Sequence, residues 1–284
     1  MIPIIDTHQH LWDLSKFRLP WLEGKGPLAE DHLMERYLAE AEGIDLAGTI
    51  YMEVDVDPAQ HVGEAEYVID LCARPDNPML AATIGGRPAD PRFEEYLDRF
   101  AGSPYVKGVR QVLHGGMPTS EFLSDAFIAG VRLLGERGLH FDLCLKPTDI
   151  GAGTVLIDRC PNTRFVLDHC GNGDVQTSDR KQWETDVAEM SRRHNVICKI
   201  SGIVVGAKPD TWTAADLAPV VLHCANAFGA DRIIFGSDWP VCTQKATYRQ
   251  WVDALLTIIK DWSEGEKRKL LHDNAVGFYG LETQ

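Results

Sequence analysis

Eight short apolar runs, separated by longer amphipathic segments, set the first limit on how this 284-residue chain folds. The runs are IPIID (2–6), LAGTIYMEV (46–54), MLAATIG (79–85), VKGVRQVL (106–113), LHFDLCL (139–145), RFVLDH (164–169), VICKIS (196–201) and RIIFGS (232–237). Near-continuous hydrophobicity, rather than strict alternation, is the pattern of strands covered on both faces, and therefore of a parallel sheet. The segments between them read as helices. DHLMERYLAEAEG (31–43) opens on an acidic cap and closes on glycine, while SDAFIAGVRLLGERG (124–138) and KQWETDVAEMSRRHN (181–195) carry apolar residues at helical spacing. No linker or shift of composition interrupts the alternation, which predicts α/β architecture: one (β/α)₈ barrel, a TIM barrel, over residues 1–284 as a single domain. An open doubly wound sheet is the alternative. It calls for a Gly-rich nucleotide turn after the first strand, where THQHLW (7–12) stands instead. The segment 14–28, LSKFRLPWLEGKGPL, is long for a strand-to-helix loop and marks a functional loop.

The formal net charge of −14 disfavours nucleic acid and anionic membrane surfaces as partners and leaves a small-molecule substrate. No stretch reaches the roughly 18 apolar residues of a membrane span, and the N-terminus lacks the basic and apolar regions of a signal peptide, so the chain reads as cytoplasmic. Monomer and homodimer both stay open. The seven cysteines are odd in number, and Cys144, Cys170, Cys198 and Cys242 lie in or beside apolar runs without CxxC spacing. They read as buried reduced thiols rather than disulfides or a cysteine zinc site.

In a barrel the C-terminal ends of the strands converge on one face, and the polar residues there are the candidate site. Strand 1 offers His8 and His10, strand 2 Glu53, strand 4 Arg110 and His114, strand 5 Lys146, strand 6 His169, strand 7 Lys199 and strand 8 Asp238. If strand geometry continues through residues 8–10, the two imidazoles project to one side. Joined by His169 and Asp238, they would form an N/O donor set suited to Zn²⁺. Plainer readings compete: HxH as a hydrogen-bonded loop pair, His169 as a core histidine, Asp238 as a turn residue before Pro240, Glu53 as a solvated acid, Arg110 as half of a structural ion pair. For the chemistry such a set supports, Asp238 is a candidate general base, His10 and His169 are candidate metal ligands or oxyanion donors, and Arg110 is a candidate forked donor. Glu53, His114, Lys146 and Lys199 are candidates for substrate contact, and Trp12, Trp21 and Trp239 for apolar walls or core.

DTHQH, LDHCGN and FGSDWP, in that order on an expected barrel, resemble the amidohydrolase superfamily. DTHQHLWD…PWL, KGVRQVL, LDHCG and GSDWPV narrow the resemblance to the amidohydrolase-2 subgroup, which holds sugar lactonases for L-fucono- and L-rhamnono-lactones, pyrone-dicarboxylate and muconolactone hydrolases, and decarboxylases. The resemblance implies a hydrolase opening a small lactone, with His8, His10, His169 and Asp238 as ligands of one divalent ion, zinc first. It also admits metal-independent members, a metal-dependent decarboxylase and a dicarboxylate or aromatic-pathway lactonase. The sequence departs from the two-metal branch, which carries a carboxylated lysine on strand 4 and a histidine on strand 5. Here Arg110 and CLKP stand at those places. A catalytically silent barrel, the remaining alternative, would be expected to have lost one of His10, His169 and Asp238.

Overall fold

The computed structural model describes residues 2–281. Eight strands follow one another around a barrel: β1 Ile4–Gln9, β2 Leu46–Met52, β3 Met79–Gly85, β4 Val106–Val112, β5 His140–Cys144, β6 Arg164–Leu167, β7 Val196–Ile200 and β8 Ile233–Phe235. Each pairs in parallel with the next. A parallel bridge between Gln9 and Trp239, with Thr7 Oγ1 donating to the Phe235 carbonyl at 2.6 Å, joins the two ends. The main helices that follow the strands are α1 Met34–Glu40, α2 His61–Cys72, α3 Phe93–Asp98, α4 Asp125–Glu136, α5 Ile150–Arg159, α6 Lys181–Met190, α7 Ala214–Phe228 and α8 Tyr248–Ile258. The (β/α)₈ barrel expected from the apolar runs is therefore the fold.

Local chemistry sets the helix ends. Ser124 caps α4 by accepting from Phe127 N, and Phe127, Ile128, Val131 and Leu134 bury one face against the barrel. Thr213 with Asp216, and Thr247 with Gln250, form reciprocal caps on α7 and α8. A large apolar layer fills the space between strands and helices. A smaller one, of Ile5, Ile50, Ala81, Val166, Ile197 and Ile234, fills the bottom of the barrel and is closed by Ala275 and Tyr279 of the C-terminal helical turns.

Above that layer the barrel interior is polar. His140 Nε2 lies 3.1 Å from Thr83 Oγ1 and 3.0 Å from Asp142 Oδ1, and Lys199 Nζ donates to Asp142 Oδ2 at 2.8 Å. β1 extends past the expected end at Asp6. The backbone of the HQH stretch finds partners in the loop after β8, where Asp238 N donates to the His8 carbonyl at 2.9 Å and His10 N to that of Trp239 at 2.8 Å. The 14–28 segment folds into short turns, Pro20–Leu22 and Gly26–Leu28, burying Phe17, Leu19, Leu22 and Leu28. All seven cysteines are buried free thiols. No helix among the described residues is long and apolar enough to cross a membrane.

Candidate active site

The site begins with one buried carboxylate that contributes no ligand. Asp6 Oδ1 accepts from His8 N at 3.1 Å and Ser237 N at 2.8 Å, and its Oδ2 accepts from Tyr37 OH at 2.9 Å. It thereby ties β1 to the loop after β8 and to α1. Gly236 is required at this junction, because a Cβ there would stand 2.6 Å from His8 Cβ. Asp238 follows with φ of 60°, and His169 has φ of 52°, both in the left-handed region that few side chains adopt. A Cβ on Gly202 would collide with the His169 ring.

These constraints bring the sequence-distant residues together. The His8 ring lies 4.9 Å from that of His10 and 4.4 Å from that of His169, centroid to centroid, although the β1–β2 register shifts between Asp6 and Gln9. Asp238 Oδ1 stands 3.7 Å from His8 Nε2 and 3.4 Å from His10 Nε2.

Hydrogen bonds fix which nitrogens are free. His10 Nδ1 is 2.9 Å from the Met52 carbonyl, which can only accept, so Nδ1 carries the proton and the Nε2 lone pair faces Asp238. His169 Nδ1 is held at 2.9 Å by Ser201 Oγ, leaving its Nε2 free. Burial pushes all three imidazoles down, His10 to about 3, so they are neutral near neutral pH. Burial pushes the Asp238 carboxyl up to about 6, against the pull of His169 and Arg110. One ligand atom each from His8, His10 and Asp238 lie within 4.8 Å of one another. Two neutral imidazole nitrogens and a carboxylate oxygen suit a divalent ion such as zinc.

A second trio, His8, Asp168 and His169, meets the same distance limit. Asp168 is already compensated: Lys199 Nζ lies 2.9 Å from its Oδ1 and Arg110 Nη1 3.5 Å from its Oδ2. Burial alone would raise its pKa, yet Lys199 and His8 hold it well below the usual carboxylate range. Its Oδ1 is 3.5 Å from His8 Nδ1, an ion-pair distance that leaves Nδ1 without a hydrogen-bond partner among the described residues.

Arg110 is not the free fork expected from the sequence. Its Nε donates to Glu53 Oε1 at 2.6 Å and its Nη2 to the Glu53 carbonyl at 2.7 Å, while Nη1 faces His8 Nε2 at 3.3 Å. All of these side chains are buried, and they differ slightly in relative exposure. His10 keeps 5%, His169 8%, Asp238 5% and Arg110 4%, whereas Glu53, Lys199, Trp12 and Trp239 have none. Those four are fully buried, and for Trp12 and Trp239 this is the core reading of the two that the sequence left open. Glu53 and Lys199 hold Arg110, Asp142 and Asp168 in ion pairs, and the two indoles pack edge-on against His32. Trp21 also turns inward, against Trp12, with its Nε1 donating to the Val54 carbonyl. His114, exposed, and Lys146, half-buried, lie on the loops after β4 and β5.

Sequence reasoning missed Asp6, Asp142, Asp168 and Ser201. The signal for three of them was present: an acid inside or ending an apolar strand, in IIDTHQ, HFDLC and VLDH, needs a buried donor or cation. Ser201 carried no such signal.

A closed (β/α)₈ barrel with imidazoles after β1 and β6 and a carboxylate after β8 defines a barrel enzyme with its chemistry at the strands' C-terminal face. The chain belongs to the amidohydrolase family, whose sequence model matches residues 5–281. It is 28% identical to an L-fucono-1,5-lactonase of Burkholderia multivorans, over 92% of this chain and 88% of that one. It is 24% identical to an L-rhamnono-gamma-lactonase of Scheffersomyces stipitis, over 98% of both chains. A solved amidohydrolase from Burkholderia multivorans with bound zinc shares the fold, with a TM-score of 0.88, 24% identity and coverage of 98% of this chain and 99% of that one.

Proposed function

We propose that this chain hydrolyses a small sugar-acid lactone, of the L-fucono- or L-rhamnono- kind, with Asp238 as general base. The observation that carries the reading is Asp238 itself, 5% exposed and 3.4 Å from His10 Nε2, with a carboxyl raised by burial to about 6. A base in that range is ionised at neutral pH yet still able to return a proton. The lactonase names of two full-length relatives supply the substrate class.

Asp238 takes a proton from the water that attacks the lactone carbonyl carbon. The ring C–O bond then breaks, and the same proton passes to the departing ring oxygen, giving the open hydroxy acid. His169, with Nδ1 engaged by Ser201, directs Nε2 toward the reacting centre. Arg110, with Nε and Nη2 held by Glu53 and Nη1 held between His8 Nε2 and Asp168 Oδ2, keeps a fixed positive charge beside the reacting centre. One divalent ion, zinc, fits His8, His10 and Asp238, with His169 beside them. When bound, it supplies carbonyl polarisation and acidifies coordinated water. A metal-free scheme is a second reading, favoured by the 3.3 Å contact of Arg110 Nη1 with His8 Nε2, which puts a cation beside a ligand nitrogen.

The test is acid release from a panel of aldonolactones in a pH-indicator assay, with wild type and Asp238→Asn side by side. Turnover of at least one sugar lactone by wild type, and a loss of about 10²-fold or more in the variant, are expected. No acid release from any lactone overturns the substrate class, and near-normal turnover by the variant overturns the base.

A further inference from the structure

Three cysteines from three separate elements meet behind the catalytic face. Cys170 follows His169 in the loop after β6, Cys198 lies on β7 among the residues that face the helices, and Cys224 is on α7. All three are sealed from solvent, and their Sγ atoms lie within 4.8 Å of one another. Their remaining polar contacts are long: Cys170 Sγ is 3.8 Å from the Lys199 carbonyl, and Cys224 Sγ 3.9 Å from that of Cys170. The proposed catalytic machinery uses none of them.

The three Sγ atoms are close enough for one centre to reach all of them. With bonds of about 2.3 Å to sulfur, a planar trigonal centre needs sulfur atoms about 4 Å apart, and a pyramidal one draws them closer. These thiols read in sequence as buried and reduced, and the charge balance of the site decides what they can bind. The group supplies sulfur alone and sits in the apolar layer between barrel and helices. An uncompensated charge there is costly. Three thiolates around Cu⁺ leave two negative charges, and around Zn²⁺ they leave one together with a vacant fourth position. Around trivalent arsenic they leave none, and its lone pair takes the place of a fourth ligand.

We propose that Cys170, Cys198 and Cys224 form a trithiol site for a trivalent, thiophilic metalloid, with arsenous acid the species it captures. The step is a condensation without redox change. Three S–H and three As–OH bonds break, three As–S bonds form, and three waters leave. Because the thiols are sealed, capture follows local opening and is slow compared with binding at the rim.

Native mass spectrometry of the full chain, incubated with arsenite and with or without prior saturation by zinc acetate, tests this. One arsenic per chain with three protons lost is expected, and zinc is expected not to compete, because its donors are the imidazoles and Asp238. Cys198→Ala and Cys224→Ala should each weaken capture at least tenfold, while Cys72→Ala, on α2, should not. Arsenic X-ray absorption of the wild-type adduct, which needs no variant to fold, should show three sulfur neighbours. No adduct, two sulfur neighbours, displacement by zinc, or unchanged capture in a folded Cys224→Ala protein would each overturn the proposal.

Discussion

Lys199 Nζ lies 2.9 Å from Asp168 Oδ1, and neither side chain has any exposure. The same ammonium donates to Asp142 at 2.8 Å, so one cation serves two carboxylates inside the barrel, and one of those carboxylates stands 3.5 Å from His8 Nδ1. Burial would lower the lysine pKa, but Asp142 and Asp168 raise it, so it stays charged. Lys199→Met is expected to cost about 3–5 kcal/mol in guanidinium unfolding, because two buried carboxylates lose their counter-ion. A cost near zero would show that the pair contributes nothing to the interior.

Arg110 and Glu53 behave as one unit across the β2 and β4 ends. Glu53 accepts the guanidinium through both its carboxylate and its backbone carbonyl, which fixes where Nη1 points. Glu53→Gln and Arg110→Met each strand a buried charge, and each is expected to lose stability on the order of 3 kcal/mol. The double variant should lose less than the sum, with a coupling of about 1–3 kcal/mol by thermal or denaturant unfolding. Strict additivity would show the two to be independent.

The barrel and the site differ in how far the sequence revealed them. Eight apolar runs gave the strand order directly, because a strand covered on both faces has no choice but to be hydrophobic. His8, His10, His169 and Asp238 were visible because polar residues at strand ends converge by topology. Exposure was not visible. Glu53 and Lys199 look like surface charges in sequence, and only the three-dimensional pairing with Arg110, Asp142 and Asp168 shows why they are buried. For Trp12 and Trp239 the sequence left wall and core both open for a related reason: an indole beside a site and an indole beneath it have the same sequence signature, and the structure buries both. The cysteine trio was hidden because Cys170, Cys198 and Cys224 come from a loop, a strand and a helix whose contact depends on how α7 packs.

Glu64 gives the stability a defined pH dependence. Its Oε1 accepts from Tyr51 OH at 2.9 Å and Val54 N at 2.8 Å, its Oε2 has no partner, and burial with the neighbouring Glu53 charge pushes its pKa up to about 8. The unfolded chain releases this proton from about pH 4.3, while the folded chain keeps it until about 8. The unfolded state therefore binds fewer protons across that window, and Glu64 lowers stability as pH rises, by up to about 1.4 kcal/mol per unit, levelling above 8. Glu64→Gln mimics the protonated form. Its stability relative to wild type, measured by urea unfolding at pH 5, 6.5 and 8, should improve steadily with pH, and a difference that stays flat would contradict the assignment.

His10 links the donor set to the proposed chemistry. Its Nδ1 is pinned to Met52 O and its neutral Nε2 faces Asp238, so His10→Ala removes a ligand atom without stranding a charge. Zinc content after dialysis, measured by plasma mass spectrometry, is expected to fall by more than about tenfold in this variant, since loss of even an outer partner of a metal ligand costs that much. Chelator treatment of wild type should lower lactone hydrolysis in parallel with zinc content, and added zinc should restore both. His114→Ala, on the exposed loop after β4, should leave zinc content unchanged. Full hydrolysis by wild type stripped of zinc would instead place carbonyl stabilisation on the imidazoles with the Arg110 guanidinium beside them, the arrangement that the 3.3 Å contact between Arg110 and His8 favours.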